Sequence, residues 1–292
     1  MFFERYAGKK DGAIRDYDVS SFRVKVMIII IMLLCAAIAF ICLFPAIWVF
    51  MASFKDIKEF KTNVTIFPSK LNFSLFIKTW NELKFLHYYL NSLILVAGSA
   101  VCAIIFNGLI AYSLGILKPK GHKAIYGLVV WSLLIPPTTS MVALFVNINR
   151  VGLNKSFLPL WLAYGANAFY TVLFKQFFES MPRELFEAAK LDGCGVLQMF
   201  RLIILPLSRP IIMVVAIFSI NAAWSDFLLP YLVLSGSGME TVMIALFKFR
   251  NANTPFVDVL RAVFFSMVPP TVLFMLFQRQ IINGAAIGAI KE

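Results

Sequence analysis

Few side chains in this sequence are equipped for chemistry, and most of them interrupt apolar runs. Asp226 is a carboxylate near the middle of one such run, with Asn221, Trp224 and Ser225 close by. Tyr164, Asn167 and Thr171 follow one another at helical spacing in a second run, and Ser132, Pro136, Thr139 and Ser140 do so in a third. Hydroxyls and amides beside aromatic faces could line a path for a polar ligand. The same groups equally well join membrane helices by hydrogen bonds. At this level both readings stand. A carboxylate at a bilayer centre costs about 2.5–3.5 kcal/mol on insertion scales, so Asp226 must face protein or a wet cavity.

Several chemistries lack their residues. A phosphate-binding loop needs a glycine, four residues, then Gly-Lys-Ser/Thr. The only Gly-Lys pair is Gly8-Lys9, with Phe3 in the first glycine position and Lys10 where Ser or Thr is required. There is no His-Glu-x-x-His, no Gly-x-Ser-x-Gly and no paired intramembrane carboxylate of the kind an ion-driven transporter or membrane hydrolase would use. The four cysteines form no Cys-x-x-Cys pair, and His87 and His122 sit beside helix ends, so neither a disulfide framework nor a metal site is expected. No catalytic residue is assigned.

The elements that must position these groups are set by composition. Sixty percent of the residues are hydrophobic and 14% are charged, against about 25% charged in soluble domains. A water-soluble core could not absorb that apolar surface. The net charge of +12 is spread over short segments between apolar runs, a pattern of membrane topology rather than of a nucleic-acid groove. A span needs about 20 residues, and six segments qualify: 26–52, 89–116, 123–146, 157–178, 210–234 and 258–282. Each must be helical, because an open strand edge in lipid leaves backbone groups unpaired. The first run is too long for the apolar core of a signal peptide and is read as a retained span. In the long loop that follows, Leu75, Phe76, Thr79, Trp80 and Leu83 share one helical face, which suggests a short interfacial helix; an irregular loop held by Pro68 is the alternative. Gly108, Ala111 and Gly115 read as close-packing positions.

The most distinctive segment joins spans four and five. Ser180 could cap a helix that starts near Pro182, with Glu184 complementing its positive end. Ala188 and Ala189 give a low-profile surface, and Gly193 and Gly195 stop the helix. A second short helix follows, with Val196, Phe200, Ile203 and Ile204 on one face, until Pro206 and Pro210 prevent straight continuation into span five. A helix-glycine-helix knob with small surface residues lets another protein approach closely.

This segment resembles the Glu-Ala-Ala loop of binding-protein-dependent ABC importer permeases. The family pattern is Glu-Ala-Ala, three residues, Gly, nine residues, Ile, one residue, Leu-Pro. It is met here by Glu187, Ala188, Ala189, Gly193, Ile203, Leu205 and Pro206. The flanking Leu191-Asp192-Gly193, the run Leu205 to Pro210, and Trp224-Ser225-Asp226-Phe227 resemble the carbohydrate-uptake branch, where Asn is usual at the position of Ser225. The pair Asn91-Ser92 and the stretch Leu144 to Asn154 are similar as well, and the chain as a whole resembles the six-span partner of a maltose-type importer.

The resemblance implies an all-α membrane protein of the type I importer permease fold, with six transmembrane helices and a cytoplasmic helix-glycine-helix coupling loop. It implies residues 1–24 as a cytoplasmic N-terminal segment, 25–87 as the first span and an extracytoplasmic loop, 88–282 as a five-helix core carrying the loop at 181–206, and 283–292 as a cytoplasmic tail. Glu187, Ala188, Ala189, Asp192, Gly193, Ile203, Leu205 and Pro206 would couple to an ATPase subunit, and the glycine-containing tail from Gln280 would reach the ATPase dimer interface. Tyr164, Asn167, Asn221, Trp224, Ser225 and Asp226 become candidates for a sugar path. The implied partners are a second, homologous permease, two ATPase subunits that hold ATP and magnesium, an extracytoplasmic sugar-binding protein and the bilayer, with no nucleic acid and no cofactor on this chain. The implied place is a bacterial cytoplasmic membrane with both termini inside. Lys118, Lys120 and Lys123, with Arg183, Lys190, Arg201 and Arg209, favour that orientation, but the six lysines between Lys55 and Lys84 oppose it; the motif decides it. A permease for another solute, such as glycerol phosphate, is the alternative, and an ion-driven transporter a distant one.

Overall fold

The computed structural model describes residues 22–62 and 65–289, all of them helix or connecting loop. The N-terminal residues 1–21 and the last three residues of the tail lie outside the described residues. The chain divides into two compact units, Met1–Asn72 and Phe73–Glu292.

In the first unit, α1 (Phe22–Ser53) is apolar after Lys25, and its side chains are mostly exposed until the last turn, where Ala52 and Ser53 are buried. Its 32 residues reach roughly 48 Å at 1.5 Å per residue, more than a hydrocarbon core requires. A short α2 (Ile57–Thr62) follows. Lys55 is buried, and its ammonium donates to the carbonyl of Thr65 and, at 3.0 Å, to Thr65 Oγ1. One lysine of the loop that weakened the charge bias is therefore consumed inside the unit.

The second unit contains α3 (Ser74–Glu82), α4 (Phe85–Tyr112), α5 (His122–Ser132), α6 (Pro137–Arg150), α7 (Leu158–Gly165), α8 (Ala168–Glu179), α9 (Glu184–Leu191), α10 (Val196–Met199), α11 (Leu205–Leu207), α12 (Arg209–Ser225), α13 (Leu228–Leu234), α14 (Val242–Asn251) and α15 (Phe256–Ala289). One turn of π-helix, Ser113–Leu117, ends α4, and another, Phe200–Ile204, joins α10 to α11. The central helix is α4, which packs on α7, α8 and α12. Small residues let it do so. A methyl group on Gly98 would lie 2.2 Å from the Trp161 ring of α7, and one on Gly165 of α7 would lie 2.9 Å from Cys102 of α4, whereas one on Gly108, 3.6 Å from Phe200, would make only ordinary contact. Ala111 is fully buried.

All six expected spans are helical, but only the first, second and sixth are single helices long and apolar enough to cross a membrane. The third bends by 103° between α5 and α6. Pro137 cannot donate a backbone bond, and it holds Pro136 extended (ψ 129°). The fourth breaks between Gly165 and Ala168, and the fifth between Ser225 and Leu228. Hydropathy is blind to these breaks because the interrupting residues are few and the flanks stay apolar. Broken helices are tolerated in a membrane where protein or a wet cavity takes up the freed backbone groups.

The helix expected between Leu75 and Leu83 is α3, and its predicted face is the less exposed one. That face meets protein rather than a free interface. Thr79 donates to Asp258 Oδ1 at 2.6 Å, where buried Arg261 also donates at 2.5 Å. Phe76 and Trp80 pack against Phe265 of α15.

Opposite ends of α4 carry different attachments. At its start, His87 and Asn91 bond the carbonyl of Gly238, Asn91 also reaches Glu240 O, and Ser92 Oγ accepts from Val242 N. At its far end, Tyr112 Oη donates to Val196 O at 3.0 Å. The loop before α14 and the segment around α10 therefore sit at opposite ends of the same helix.

Candidate coupling segment and broken-span polar level

The segment after α8 is a bent pair of short helices. Ser180 does not cap the first of them, contrary to expectation. It ends α8, where its hydroxyl donates to Phe177 O at 2.7 Å, and α9 starts after Arg183 with no side-chain cap. Pro182 lies between α8 and α9, and its ring disfavours helical backbone at the residue before it. At the other end of α9 the termination is local and complete. Gly193 N donates to Lys190 O and Cys194 N to Ala189 O, a Schellman pair that satisfies two orphan carbonyls. Gly193 has φ +76°, the left-handed conformation this pair requires and that other residues adopt at a cost. Gly195 is different: its φ of −69° and ψ of 161° are open to any residue.

The packing sorts the motif residues into two sets. Glu187, Ala188, Asp192, Gly193 and Pro206 are exposed. Ala189 is buried, and Ile203 and Leu205 are half-buried against the cluster of Tyr112, Phe174, Phe178, Phe186 and Phe200. Ala189 is thus part of the packing and not of the low-profile surface expected for it. Val196 also departs from its expected face. It begins the second arm beside the bend and stays 57% exposed, while Phe200 and Ile204 are buried. Leu191, at the tip, is 89% exposed. Between α11 and α12 the chain turns by 81° at Ser208, which is buried and bonds Ile204 O at 2.5 Å. Pro210 lies in the first turn of α12, where a missing N–H does no harm.

The polar residues inside the spans gather where helices break. Asn167 does not continue a stripe from Tyr164. Its extended backbone ends one helix, and its side chain caps the next by accepting from Phe169 N (2.9 Å) and Tyr170 N (3.3 Å). Tyr164 turns to the neighbouring break and donates to Asp226 Oδ2 at 2.6 Å. Asp226 is itself extended, and its other oxygen accepts from Leu228 N at 3.0 Å, restarting the helix as α13. A single carboxylate therefore closes one break and ties it to the other.

Asn107 of α4 is the residue that sequence reading missed. Fully enclosed, it donates to Gly165 O and to Ala103 O at 2.7 Å each, and accepts from Thr171 Oγ1 (2.9 Å) and Asn167 N (3.3 Å). It repairs the backbone of the fourth span from outside. The available signal was an amide in the middle of the second apolar run. Trp224 is buried, donates from Nε1 to Ser266 O at 3.1 Å and presents its ring to Tyr89. It fastens α12 to α15. Asn221 and Ser225 remain exposed, and no side-chain hydrogen bond engages either among the described residues. Among the described residues, Ser132, Thr139 and Ser140 bond only carbonyls three residues back.

A family model described as a binding-protein-dependent transport system inner membrane component matches residues 104–284, a stretch that includes both the bent segment and the broken spans. The chain belongs to this family. It is a permease subunit of an ABC transporter, a transport component and not an enzyme. It is 33% identical over 231 residues to the melibiose/raffinose/stachyose import permease protein MelC of Bacillus subtilis, covering 77% of this permease and 83% of that one. It is 29% identical over 258 residues to the trehalose/maltose transport system permease protein MalG of Thermococcus litoralis, covering 87% and 93% of the two chains. A chain in the crystal structure of a bacterial ABC transporter involved in the import of the acidic polysaccharide alginate superposes with a TM-score of 0.80 at 19% identity, over 89% of this permease and 98% of that chain. That likeness establishes the shared fold.

Proposed function

We propose that this permease carries a sugar, with an oligosaccharide the expected cargo, as half of a heterodimeric alternating-access pore. Its partners are a second, homologous permease, two ATPase subunits that bind ATP and magnesium, and an external sugar-binding protein. The exposed part of the 187–206 segment docks on an ATPase subunit. In this reading the chain lies in a bacterial cytoplasmic membrane with both termini, the 113–121 connector and the bent segment on the cytoplasmic side. Residues 25–87 supply the first span and an outer loop, 88–282 the core and 283–292 a tail. ATP closes the ATPase dimer, the docked segment moves with it, and the spans switch from inward-open to outward-open. Sugar enters from the binding protein and leaves inward after hydrolysis.

The observation that carries this reading is the division within the motif. Glu187, Ala188, Asp192 and Gly193 are presented outward with Leu191, while Ala189, Ile203 and Leu205 hold the knob to the helices behind it. The sugar assignment draws on the relatives. A path along α12 would use Asn221 and Ser225, the exposed groups, with Tyr164, Asn167 and the half-buried Asp226 holding the broken helices beside it and Trp224 the wall.

The test is ATPase activity of the complex purified in lipid with its binding protein. Glu187→Lys and Gly193→Pro should each abolish the stimulation by binding protein while the permease stays folded; full stimulation in both would overturn the docking assignment. Uptake of labelled tri- and tetrasaccharides by the same vesicles tests the cargo. Uptake of glycerol phosphate or an amino acid, with no sugar uptake, would sink it.

A further inference from the structure

The bent segment touches the spans behind it in three ways. One is covalent, through the turn at Ser208 into α12. One is apolar, because Phe186, Ala189, Phe200 and Ile204 share a buried cluster with Phe174 and Phe178 of α8. The third is an enclosed tyrosine that adds a hydrogen bond. Tyr112 is 3% exposed, its hydroxyl donates to Val196 O at 3.0 Å, and its ring lies 5.3 Å from that of Phe200. Both contacts fall on the second arm, one at its first residue and one where α10 passes into the π-helical turn. On the other side, Tyr112 is the last residue of α4 before a π-helical turn of its own. Isolated π turns are uncommon and occur frequently at functional sites. Here two of them flank one aromatic contact. Five residues earlier on α4, Asn107 holds both sides of the break in the fourth span.

We propose that Tyr112 is a positioning residue that makes α4 and the second arm move as one body. Displacement of the docked segment then reaches the broken fourth span through Asn107, as well as the fifth span through Ser208. The proposal rests on the docking reading above. Without the Tyr112 hydroxyl, the ATPase would still dock, but its motion would enter the spans through α12 and through apolar packing that has no directional bond. A neutral hydrogen bond of ordinary strength corresponds to roughly a fivefold change in an equilibrium, which sets the size of effect expected from removing the hydroxyl.

The experiment uses the full complex in lipid with spin labels at Ile94→Cys on α4 and Gln198→Cys on α10, in a background free of other cysteines. With the native tyrosine, the interlabel distance should be the same in the nucleotide-free and vanadate-trapped states. With Tyr112→Phe, the distance should differ between the two states, and binding-protein stimulation of hydrolysis should fall roughly fivefold, with the complex still assembled. Phe200→Leu, which removes the ring contact instead, should act in the same direction, and the two changes should be non-additive. An assembled Tyr112→Phe complex with an unchanged distance and native stimulation would overturn the proposal. So would loss of assembly in both variants, which would make the contact purely structural. Glu187→Lys separates the two layers. If it abolishes stimulation while Tyr112→Phe behaves as native, only the role of Tyr112 falls. If Glu187→Lys is stimulated normally, the docking reading falls first.

Discussion

The bent segment at 184–207 and the polar level where the fourth and fifth spans break use similar materials, helix ends and a few polar side chains among apolar ones, but they satisfy their backbones differently. Gly193 and the Schellman bonds terminate α9 with residues adjacent in sequence. Its polar side chains are thereby left free to face outward. At the breaks, the freed groups of Gly165 and Asn167 are met from α4, 58 and 60 residues away in the chain, and Asp226 is met by Tyr164 at a separation of 62. Polar residues there are spent on the fold itself. The difference teaches that exposure after packing, rather than polarity, separates the candidates for recognising a partner from those that hold the scaffold.

The sharpest way to break this comparison is to remove one member from each region. Asn107→Leu strips the fourth-span break of its bonds and leaves buried partners unmet, which should cost about 2–3 kcal/mol given the modest net value of each bond in a membrane protein. Glu187→Ala, on an exposed surface, should leave stability within about 0.5 kcal/mol. Thermal unfolding in detergent measures both, and equal losses would erase the distinction. A smaller effect separates the two glycines of the bend. Gly193→Ala must hold a left-handed backbone and should lose about 1–2 kcal/mol, whereas Gly195→Ala meets neither strain nor a neighbour and should lose less, about 0.5 kcal/mol for a poorer N-cap.

The smallest effect belongs to the other end of α4, where an exposed loop is held by charge. Burial acts to raise the Glu240 carboxyl, but Lys248 at 2.6 Å and the backbone N–H groups of Glu240 and Gly236 outweigh it and hold the group below its usual 4.5. Because the folded value is the lower one, the stabilisation is complete above the unfolded value and is lost as pH falls through the folded one. Hydrogen exchange at Gly236 should lose protection over that acid range beyond the intrinsic trend, and Glu240→Gln should remove the step. A step that survives the substitution would assign the loop's order to other contacts.

Much of this was legible in the sequence where the physics is local. Apolar length set the six helical segments, Pro206 and Pro210 marked the turn into α12, and the spacing from Glu187 to Pro206 marked the bent segment. The face of α3 was also readable, because helical period fixes which residues share it. Legibility ended where a group's partner lies far along the chain. Ser180 looked like a cap for α9 because its type suits that role, yet the nearer carbonyl of Phe177 took its hydroxyl. Asn107 looked like an isolated amide until the fourth span broke beside it.

By itself, the sequence determined that the chain is helical and membrane-embedded, and that one glycine-bent segment between two apolar runs carries a family pattern. It did so because hydrophobic length, proline and glycine act on the residues next to them. Only the tertiary structure decided that three spans are broken, that Asp226 and Tyr164 join two breaks, that Trp224 is buried and bonded to α15 rather than a free aromatic face, and which motif residues remain exposed. Those outcomes depend on which backbone groups find partners across the bundle, and that is fixed only when the helices meet.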